Sequence, residues 1–448
     1  MPSALGPREQ RGYNSRVNKP TEDHIPQVLK REGKASVCAC LALLLIALHL
    51  TTGPKIRLSQ WRVTPAGNVA LEEALAWKQG RLSLSRDYYE DAEVDGKHYN
   101  AVGLAFVIMS VIGTSLTEWA GGAPGTFAPL LYVSMVALPL PFVAFWAFRS
   151  VVRSSAWAAV FSFYLIAGTS LLPALILCGG GTIYRLNHVL AVVGLLVFST
   201  DLLGRRRVWP AILGLTLAVW SRQMTCLYAL PLLWFVWRDI GQSGTPADEQ
   251  SSPAPSSAGK WPRRRLILTI LTLVFIAAVP MTLNTLKFGS PFESGYRLLY
   301  AGRIDTIAQQ AHRHFFGPGN IRMHAIAMNL AFPSWDIRGG SLYAVTSEIN
   351  GGSIWLTSPL LLGVFVTARS WWRDRCRRVL MLSTIPVIAG LMCYHTTGAL
   401  HAGYYRYSLD FIPIWLLVMA PYTMGRRGVL WTLACLAYST LYFNVLSV

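Results

Sequence analysis

Long apolar segments separated by short basic loops constrain this chain more than any other feature. Apolar runs recur from residue 35 to residue 445, and Arg-rich stretches such as 149–153, 205–207 and 369–378 stand between them. A helix of about 20 apolar residues spans the hydrocarbon core of a bilayer. Only 14% of the residues are charged, against about 25% in soluble domains. The pattern predicts an all-α, polytopic integral membrane protein.

The distribution of Lys and Arg predicts the topology, because short cytoplasmic loops carry an excess of both. The basic segment 1–33 would be a disordered cytoplasmic tail, and the Pro- and Ser-rich segment 238–263 would be a flexible cytoplasmic linker. Residues 34–448 would form one membrane domain that ends outside. The eleven predicted spans are 35–50, 126–148, 156–177, 188–203, 208–220, 225–237, 264–286, 353–368, 379–394, 407–424 and 429–445.

Two large loops, 53–125 and 287–352, would lie outside the cytoplasm. In the first, the apolar residues of 66–80 recur at helical spacing, which predicts a helix lying on the membrane. Residues 101–116 are also apolar, but a span there would place Arg149 and Arg153 outside, against the charge rule. A juxtamembrane or re-entrant segment is predicted there instead.

Charge and cysteine usage exclude two other interpretations. A net charge of +18 would indicate a nucleic-acid partner in a soluble protein. Here the cations stand beside apolar runs, where they set topology, so no nucleic-acid partner is expected. Of the seven Cys, all but Cys376 lie in or beside apolar runs, and none has the spacing of a metal site.

The segment 81–103 of the first outer loop concentrates acidic residues. Five of the chain's 22 acidic residues fall between positions 87 and 95, followed at once by Lys97. Carboxylates at a membrane surface beside cations are typical of chemistry on a lipid-linked substrate. Asp87, Asp91 and Asp95 are candidates for a general base or metal ligands, with Glu72 behind them. The alternative is a solvated acidic loop.

Three cations are candidates for binding a substrate phosphate: Lys97, Arg222 and Arg406. Arg222 stands in an otherwise uncharged stretch from 208 to 237, and a charge at membrane depth marks a function by default. The alternative is an Arg that snorkels to the head groups. Arg406 and Asp410 stand at i and i+4, so they could simply pair on one helix face.

Tyr99, His188 and His401 are further candidates for contacting substrate from the outer side. His188 opens the fourth predicted span, and His401 lies in the loop 395–406, before the tenth. A lone His at a helix end is more often structural, and aromatic residues at this level also form interfacial belts. The histidines are too sparse to argue for a metal.

Four stretches resemble segments of one known superfamily: 92–99 (AEVDGKHY), 288–296 (FGSPFESGY), 351–361 (GGSIWLTSPLL) and 403–413 (GYYRYSLDFIP). Their order and outer placement are similar to those of the bacterial polytopic GT-C glycosyltransferases. That superfamily contains protein mannosyltransferases and aminoarabinose transferases that use polyprenyl-phosphate sugars. The resemblance covers residues 35–424.

The resemblance implies a GT-C-like enzyme of the bacterial cytoplasmic membrane and cell envelope. It would transfer a sugar, with inversion, from a polyprenyl-phosphate donor to a lipid, glycan or protein acceptor on the extracytoplasmic face. An outer-loop acid would be the base, and Mg²⁺ or Mn²⁺ is a candidate cofactor. Asn68 stands near where the family places an acid, and 101–103 (AVG) replaces a frequent Pro-Pro-Gly.

Two other classes of function remain open from the sequence. A transporter or flippase for a lipid-linked sugar predicts polar residues buried within spans and a paired repeat, and the sequence shows neither a repeat nor mid-span acids. A divergent, non-catalytic membrane protein predicts that the outer acids tolerate replacement.

Overall fold

The computed structural model describes residues 33–53, 68–88, 91–101, 103–178, 183–205, 207–242, 261–300, 316–330, 333–336, 341–344, 353–394 and 405–446. The predicted tail lies outside the described residues, apart from Gly33. His401 and most of the predicted linker (243–260) also lie outside them.

Eleven α-helices form the first part of the described chain, up to residue 288. Its helices are α1 (Lys34–Thr52), α2 (Val69–Lys78), α3 (Leu104–Trp119), α4 (Pro129–Val136), α5 (Pro139–Val152), α6 (Ser155–Ala167), α7 (Leu171–Leu177), α8 (Ile183–Thr200), α9 (Val208–Ser221), α10 (Ala229–Gln242) and α11 (Trp261–Phe288).

The second half has shorter helices. They are α12 (Ile321–Ala325), α13 (Ile354–Thr357), α14 (Gly363–Val366), α15 (Ala368–Arg373), α16 (Arg375–Leu382), α17 (Thr384–Met392), α18 (Ile412–Met419) and α19 (Arg426–Leu441). Proline and its neighbours interrupt the predicted spans here. Pro359 stands two residues after the end of α13, and Pro413 is the second residue of α18, which follows a 3₁₀ turn over Arg406–Asp410. Proline lacks a backbone donor, so it breaks or starts helices rather than continuing them.

Among the described residues, four helical segments are long and apolar enough to cross a membrane. They are Lys34–Thr52, Pro129–Val152, Arg185–Gly204 and Arg264–Phe288. Shorter apolar helices cover Leu104–Trp119, Ser155–Ala167, Val208–Ser221 and Ile412–Tyr422. The chain is therefore a largely helical integral membrane protein, while the count of eleven spans stays a prediction.

The segment predicted to form the first outer loop contains a β-hairpin, so the all-α expectation is wrong in this region. Strand β1 (Asp91–Val94) pairs antiparallel with β2 (Lys97–Asn100). Asp95 and Gly96 form the two-residue turn, with φ of 50° and 69°. An Asp-Gly turn with two positive φ values matches the twist of paired strands. A second hairpin joins β3 (Pro333–Asp336) and β4 (Ser341–Ala344).

The helix predicted at 66–80 forms as α2, and most of it is buried by the rest of the chain. Asn68 caps it by accepting hydrogen bonds from the N–H groups of Ala70 and Leu71, at 3.1 and 3.0 Å. Seven of its ten residues are buried, including Glu72 and Glu73. Neighbouring segments therefore cover α2 on its polar side as well as its apolar side.

Helix α8 is the centre of the membrane core. It is mostly buried, and it packs antiparallel against α9. A Cβ added at Gly194 would lie 2.5 Å from the carbonyl oxygen of Gly214, so only glycine permits this close approach. The antiparallel pairing brings the start of α8, with His188, to the end of α9, next to Arg222.

Candidate functional site

A buried ion pair joins Arg222 and Asp410. Arg222 follows α9 directly, and its Nε donates to both carboxylate oxygens of Asp410 at 3.2 and 3.1 Å. Its Nη2 donates to Asp410 Oδ2 at 3.0 Å. The Asp410 side chain is 0% exposed and that of Arg222 is 13% exposed. Charge-assisted bidentate pairs of this kind fix geometry as well as contributing energy.

Further contacts fix Asp410 from other elements. His188 Nδ1, on α8, lies 3.5 Å from Asp410 Oδ1. The hydroxyl of Tyr228 donates to the main-chain carbonyl of Asp410 at 2.9 Å. The predicted pairing of Arg406 with Asp410 assumed an α-helix, but residues 406–410 form a 3₁₀ turn, in which i and i+4 do not share one face. The bidentate partner of Asp410 is Arg222, 188 positions away.

Two guanidinium groups lie over the ring of Tyr407. The guanidinium carbon of Arg222 lies 4.9 Å from the ring centroid, and that of Arg406 lies 5.6 Å from it. Cations within about 6 Å of an aromatic face are attracted to it. The structure therefore brings together two of the three predicted phosphate-binding cations, on a side chain that the sequence analysis did not single out.

Aromatic rings and a second histidine surround Tyr407. Its ring centroid lies 5.8 Å from Tyr394, 6.1 Å from Tyr405 and 6.3 Å from His324. His324 Nε2 lies 2.9 Å from the carbonyl oxygen of Tyr394, which only accepts, so Nε2 carries the proton. Nδ1 therefore accepts from the hydroxyl of Tyr405, at 2.9 Å. Burial lowers the pKa of His324, in agreement with a neutral imidazole.

The predicted acids of the first outer loop differ in their surroundings. Asp87 and Asp95 are exposed, and Asp95 occupies the hairpin turn with the exposed Lys97 beside it. Asp91 is buried. Its Oδ2 accepts from the backbone N–H of Tyr88 at 2.7 Å and lies 2.9 Å from His98 Nδ1. Of the three aspartates, only Asp91 is therefore held in a fixed, buried position.

The other predicted residues of this loop are held in packed positions. Glu72 is buried on α2 and accepts hydrogen bonds from the hydroxyl and backbone N–H of Ser85. Tyr99 is half-buried, and its ring meets Phe288 edge-on at 6.0 Å. Both side chains therefore help to order the loop, whatever their further role.

A second buried ion pair, which the sequence analysis missed, joins α2 to the end of α11. Lys287 Nζ lies 2.5 Å from Glu73 Oε1 and donates to the carbonyl oxygen of Asn100 at 3.0 Å. The amide of Asn100 donates to Glu73 Oε2 at 2.6 Å. These contacts connect the helix, the hairpin and the membrane segment α11 into one unit.

Tyr296 packs against this unit. It packs beside Ala92 and Ala101 of the hairpin region. Burial raises its pKa, while Arg222 and Arg406 act in the opposite direction, so both guanidinium groups lie within electrostatic reach of its hydroxyl.

An apolar cavity of about 410 Å³ lies beside α2. Its wall is formed largely by Trp77 of α2, Leu104 and Ile108 of α3, and Phe275, Val279 and Leu283 of α11. Most of α11 is uncovered by the rest of the chain. The cavity therefore opens on a helix that is available to lipid.

The described residues contain no group of three or more His, Cys, Asp or Glu side chains that could hold a metal ion.

One signal in the sequence points to the buried pair. Arg222 and Asp410 each stand within a stretch that is otherwise mostly apolar, and a buried charge requires a partner of opposite sign. By contrast, Glu73 and Lys287 each have charged neighbours or stand at the end of a span, so nothing in the sequence singles them out.

No protein-family model matches the chain, and no curated protein matches it. Two solved structures are similar. One is the Archaeoglobus fulgidus oligosaccharyltransferase in the apo form (13% identity, TM-score 0.47, 92% of this chain covered). The other is the A. fulgidus oligosaccharyltransferase AglB in complex with an inhibitory peptide and a dolichol-phosphate (12%, 0.45, 91%). The chain spans only 55% of the length of either.

Proposed function

We propose that this chain is a GT-C-type membrane glycosyltransferase that takes a sugar from a polyprenyl-phosphate donor. The observation that carries the proposal is the cluster of Arg222 and Arg406 on the ring of Tyr407, which lies where α9 ends and just before α18 begins. An anionic leaving group needs such cations, and an acceptor hydroxyl needs a carboxylate.

The two arginines would bind the donor phosphate. Arg222 uses Nε and Nη2 on Asp410, so Nη1 remains for a phosphate oxygen. Asp410 already holds the guanidinium of Arg222 in place, so donor binding would lose little side-chain entropy there. In the reaction, the bond between the sugar C1 and the phosphate oxygen breaks, and its electron pair leaves with the polyprenyl phosphate.

An outer-loop carboxylate would take the proton of the acceptor hydroxyl as its oxygen forms the new bond to C1. We favour Asp91, because its contacts with Tyr88 and His98 hold the carboxylate in one place. The exposed Asp87 and Asp95, and the buried Glu72, remain alternatives for this role. Lys97, Tyr99, His188 and His401 remain candidates for contacting substrate.

The apolar cavity between α2, α3 and α11 would hold the first isoprene units of the donor. It is lined by aliphatic and aromatic side chains, as a hydrocarbon chain requires. It also lies beside α2 and α11, the helices that Glu73 and Lys287 join to the hairpin. A donor with its tail in this cavity would therefore have its head group near the outer-loop acids.

The finer assignments belong to the same proposal. The chain would cross the bacterial cytoplasmic membrane eleven times, with its N-terminus inside and its site on the extracytoplasmic face. The acceptor would be a lipid, a glycan or a protein. Participation of Mg²⁺ or Mn²⁺ is tested by transfer in the presence of EDTA.

A lipid-linked-sugar flippase is a second candidate, favoured by one observation. Arg222, Asp410 and His188 form a buried polar group among helices, and such groups often line transport pathways. A flippase would move the intact donor across the bilayer without forming a new glycosidic bond, so the two candidates differ in their products.

The deciding experiment uses the full chain in lipid nanodiscs with radiolabelled polyprenyl-phosphate sugars and extracted envelope acceptors. Asp91→Asn should abolish transfer with normal protein levels, and Arg222→Gln should raise the donor KM. Asp95→Asn is the matched control in the same hairpin and should retain transfer. Transfer by Asp91→Asn at the wild-type rate would remove Asp91 as the base. Translocation of intact donor without transfer would favour the flippase.

A further inference from the structure

Two guanidinium groups meet on one tryptophan ring where α10 packs against α16. The guanidinium carbons of Arg238, on α10, and Arg375, on α16, each lie 5.3 Å from the ring centroid of Trp234. Arg375 is exposed. A cation–π contact attracts each guanidinium to the ring but does not neutralise its charge. Arg238 also donates from Nη1 to Cys376 Sγ at 3.0 Å, so Arg375 is the cation that this ring presents at the surface.

The acid next to Arg375 is already engaged. Asp374 Oδ1 accepts from the backbone N–H groups of Cys376 and Arg377 at 2.9 and 3.2 Å, which caps α16. Its Oδ2 accepts from Arg377 Nε at 3.1 Å. Arg377 in turn donates to the carbonyl oxygen of Val418 at 3.0 Å. The carboxylate of Asp374 is thus engaged with Arg377 and with the N-terminus of α16.

The basic segment 369–378, here called a loop although it includes parts of α15 and α16, contains further cations. The guanidinium of Arg378 lies 5.6 Å from the ring centroid of Trp372. Within the described ranges, no carboxylate lies at ion-pairing distance from the four remaining arginines of this loop, which are Arg369, Arg373, Arg375 and Arg378. The loop therefore has an excess of positive charge.

Exposed aromatic surface adjoins these cations. Trp237, on α10, is 65% exposed, and Trp372 is 48% exposed. Tryptophan is enriched at the level of lipid head groups, where one part of the ring is apolar and another is wet. A free anion would gain nothing from the indole surface, whereas a lipid would contact it with its glycerol and upper acyl chain.

We propose that this surface binds the phosphate head group of an anionic membrane phospholipid. We name it the Arg–Trp face and define it by Trp234, Arg238, Trp372, Arg375 and Arg378. Guanidinium groups bind phosphate oxygens through parallel hydrogen bonds, and basic clusters between membrane helices recognise anionic lipids. A phosphate there would also offset part of the excess positive charge of Arg375 and Arg378. The inference does not depend on the proposed transferase activity.

The test is native mass spectrometry of the full chain in detergent. It compares phosphatidylglycerol with phosphatidylcholine of the same acyl chains. Wild-type protein should bind phosphatidylglycerol more tightly. Arg375→Gln should weaken that binding about fivefold, from the contribution expected of one basic residue at an anionic surface. Arg375→Lys should lose part of it, since the charge remains but the fork geometry does not.

The matched control is Arg322→Gln, which removes one exposed cation from the second outer loop and should leave the binding unchanged. If Arg375→Gln fails to fold, Arg378→Gln removes a second cation of the same face. Equal binding of the two lipids by wild-type protein would overturn the proposal. Unchanged binding by the variants, an equal loss in Arg322→Gln, or complete displacement of the lipid by millimolar inorganic phosphate would overturn it as well.

Discussion

Removal of the charge on Asp410 is the most direct perturbation of the buried ion pair. Asp410→Asn keeps the shape of the side chain but leaves the guanidinium of Arg222, which is only 13% exposed, without its carboxylate. Removing one partner of a buried pair costs about 3–5 kcal/mol. Tyr407 would continue to contact the guanidinium, so the lower end, about 3 kcal/mol, is expected.

The free energy of unfolding is measured by SDS titration of the full chain in mixed micelles, followed by tryptophan fluorescence. Arg222→Gln and the double variant Asp410→Asn/Arg222→Gln complete a mutant cycle. The double variant should lose less than the sum of the single losses, because it leaves no unpaired buried charge. Asp87→Asn, at an exposed carboxylate, is the control and should change stability by less than about 0.5 kcal/mol.

Two results would refute the reasoning. One is an Asp410→Asn protein as stable as the Asp87→Asn control. The other is a double variant whose loss equals the sum of the two single losses to within about 0.5 kcal/mol, since additivity indicates that the two side chains do not interact.

Three other perturbations have expected outcomes. Asp95→Val should destabilise the hairpin by about 1–2 kcal/mol, because a β-branched residue is strained at φ 50°, whereas Asp95→Asn should not; greater protease sensitivity of the first outer loop would report the change. Gly214→Val should cost about 1–3 kcal/mol in the same SDS titration, because its side chain would meet the backbone of Gly194; an unchanged midpoint would contradict the close α8–α9 packing. Burial lowers the pKa of His324, so its contribution to the free energy of unfolding is fully present above the unfolded-state pKa near 6.5 and is lost as pH falls below it. The melting temperature of the wild type should therefore fall more between pH 7.5 and pH 5 than that of His324→Gln. Equal falls in the two proteins would contradict this.

Local features of this protein follow from short stretches of sequence. The apolar runs correctly predict the long helices. Asn68 directly precedes α2 and caps it, as expected of an Asn side chain at a helix N-terminus. The Asp95-Gly96 dipeptide carried a hairpin signal that the all-α prediction overlooked. Arg222 stood out in the sequence because a charge in an apolar stretch is costly wherever that stretch lies, and in the structure it pairs with Asp410.

Tertiary structure decided which distant residues meet. The close packing of α8 and α9 aligns the start of one with the end of the other, and Asp410 reaches Arg222 there because its 3₁₀ turn packs against α8. Glu73 reaches Lys287 only because α2 is buried against the end of α11. Hydrophobic periodicity specifies which face of a helix is covered but not by which partner. The sequence by itself therefore determined the membrane helices and the cost of their charges, and packing alone determined how those charges are paired.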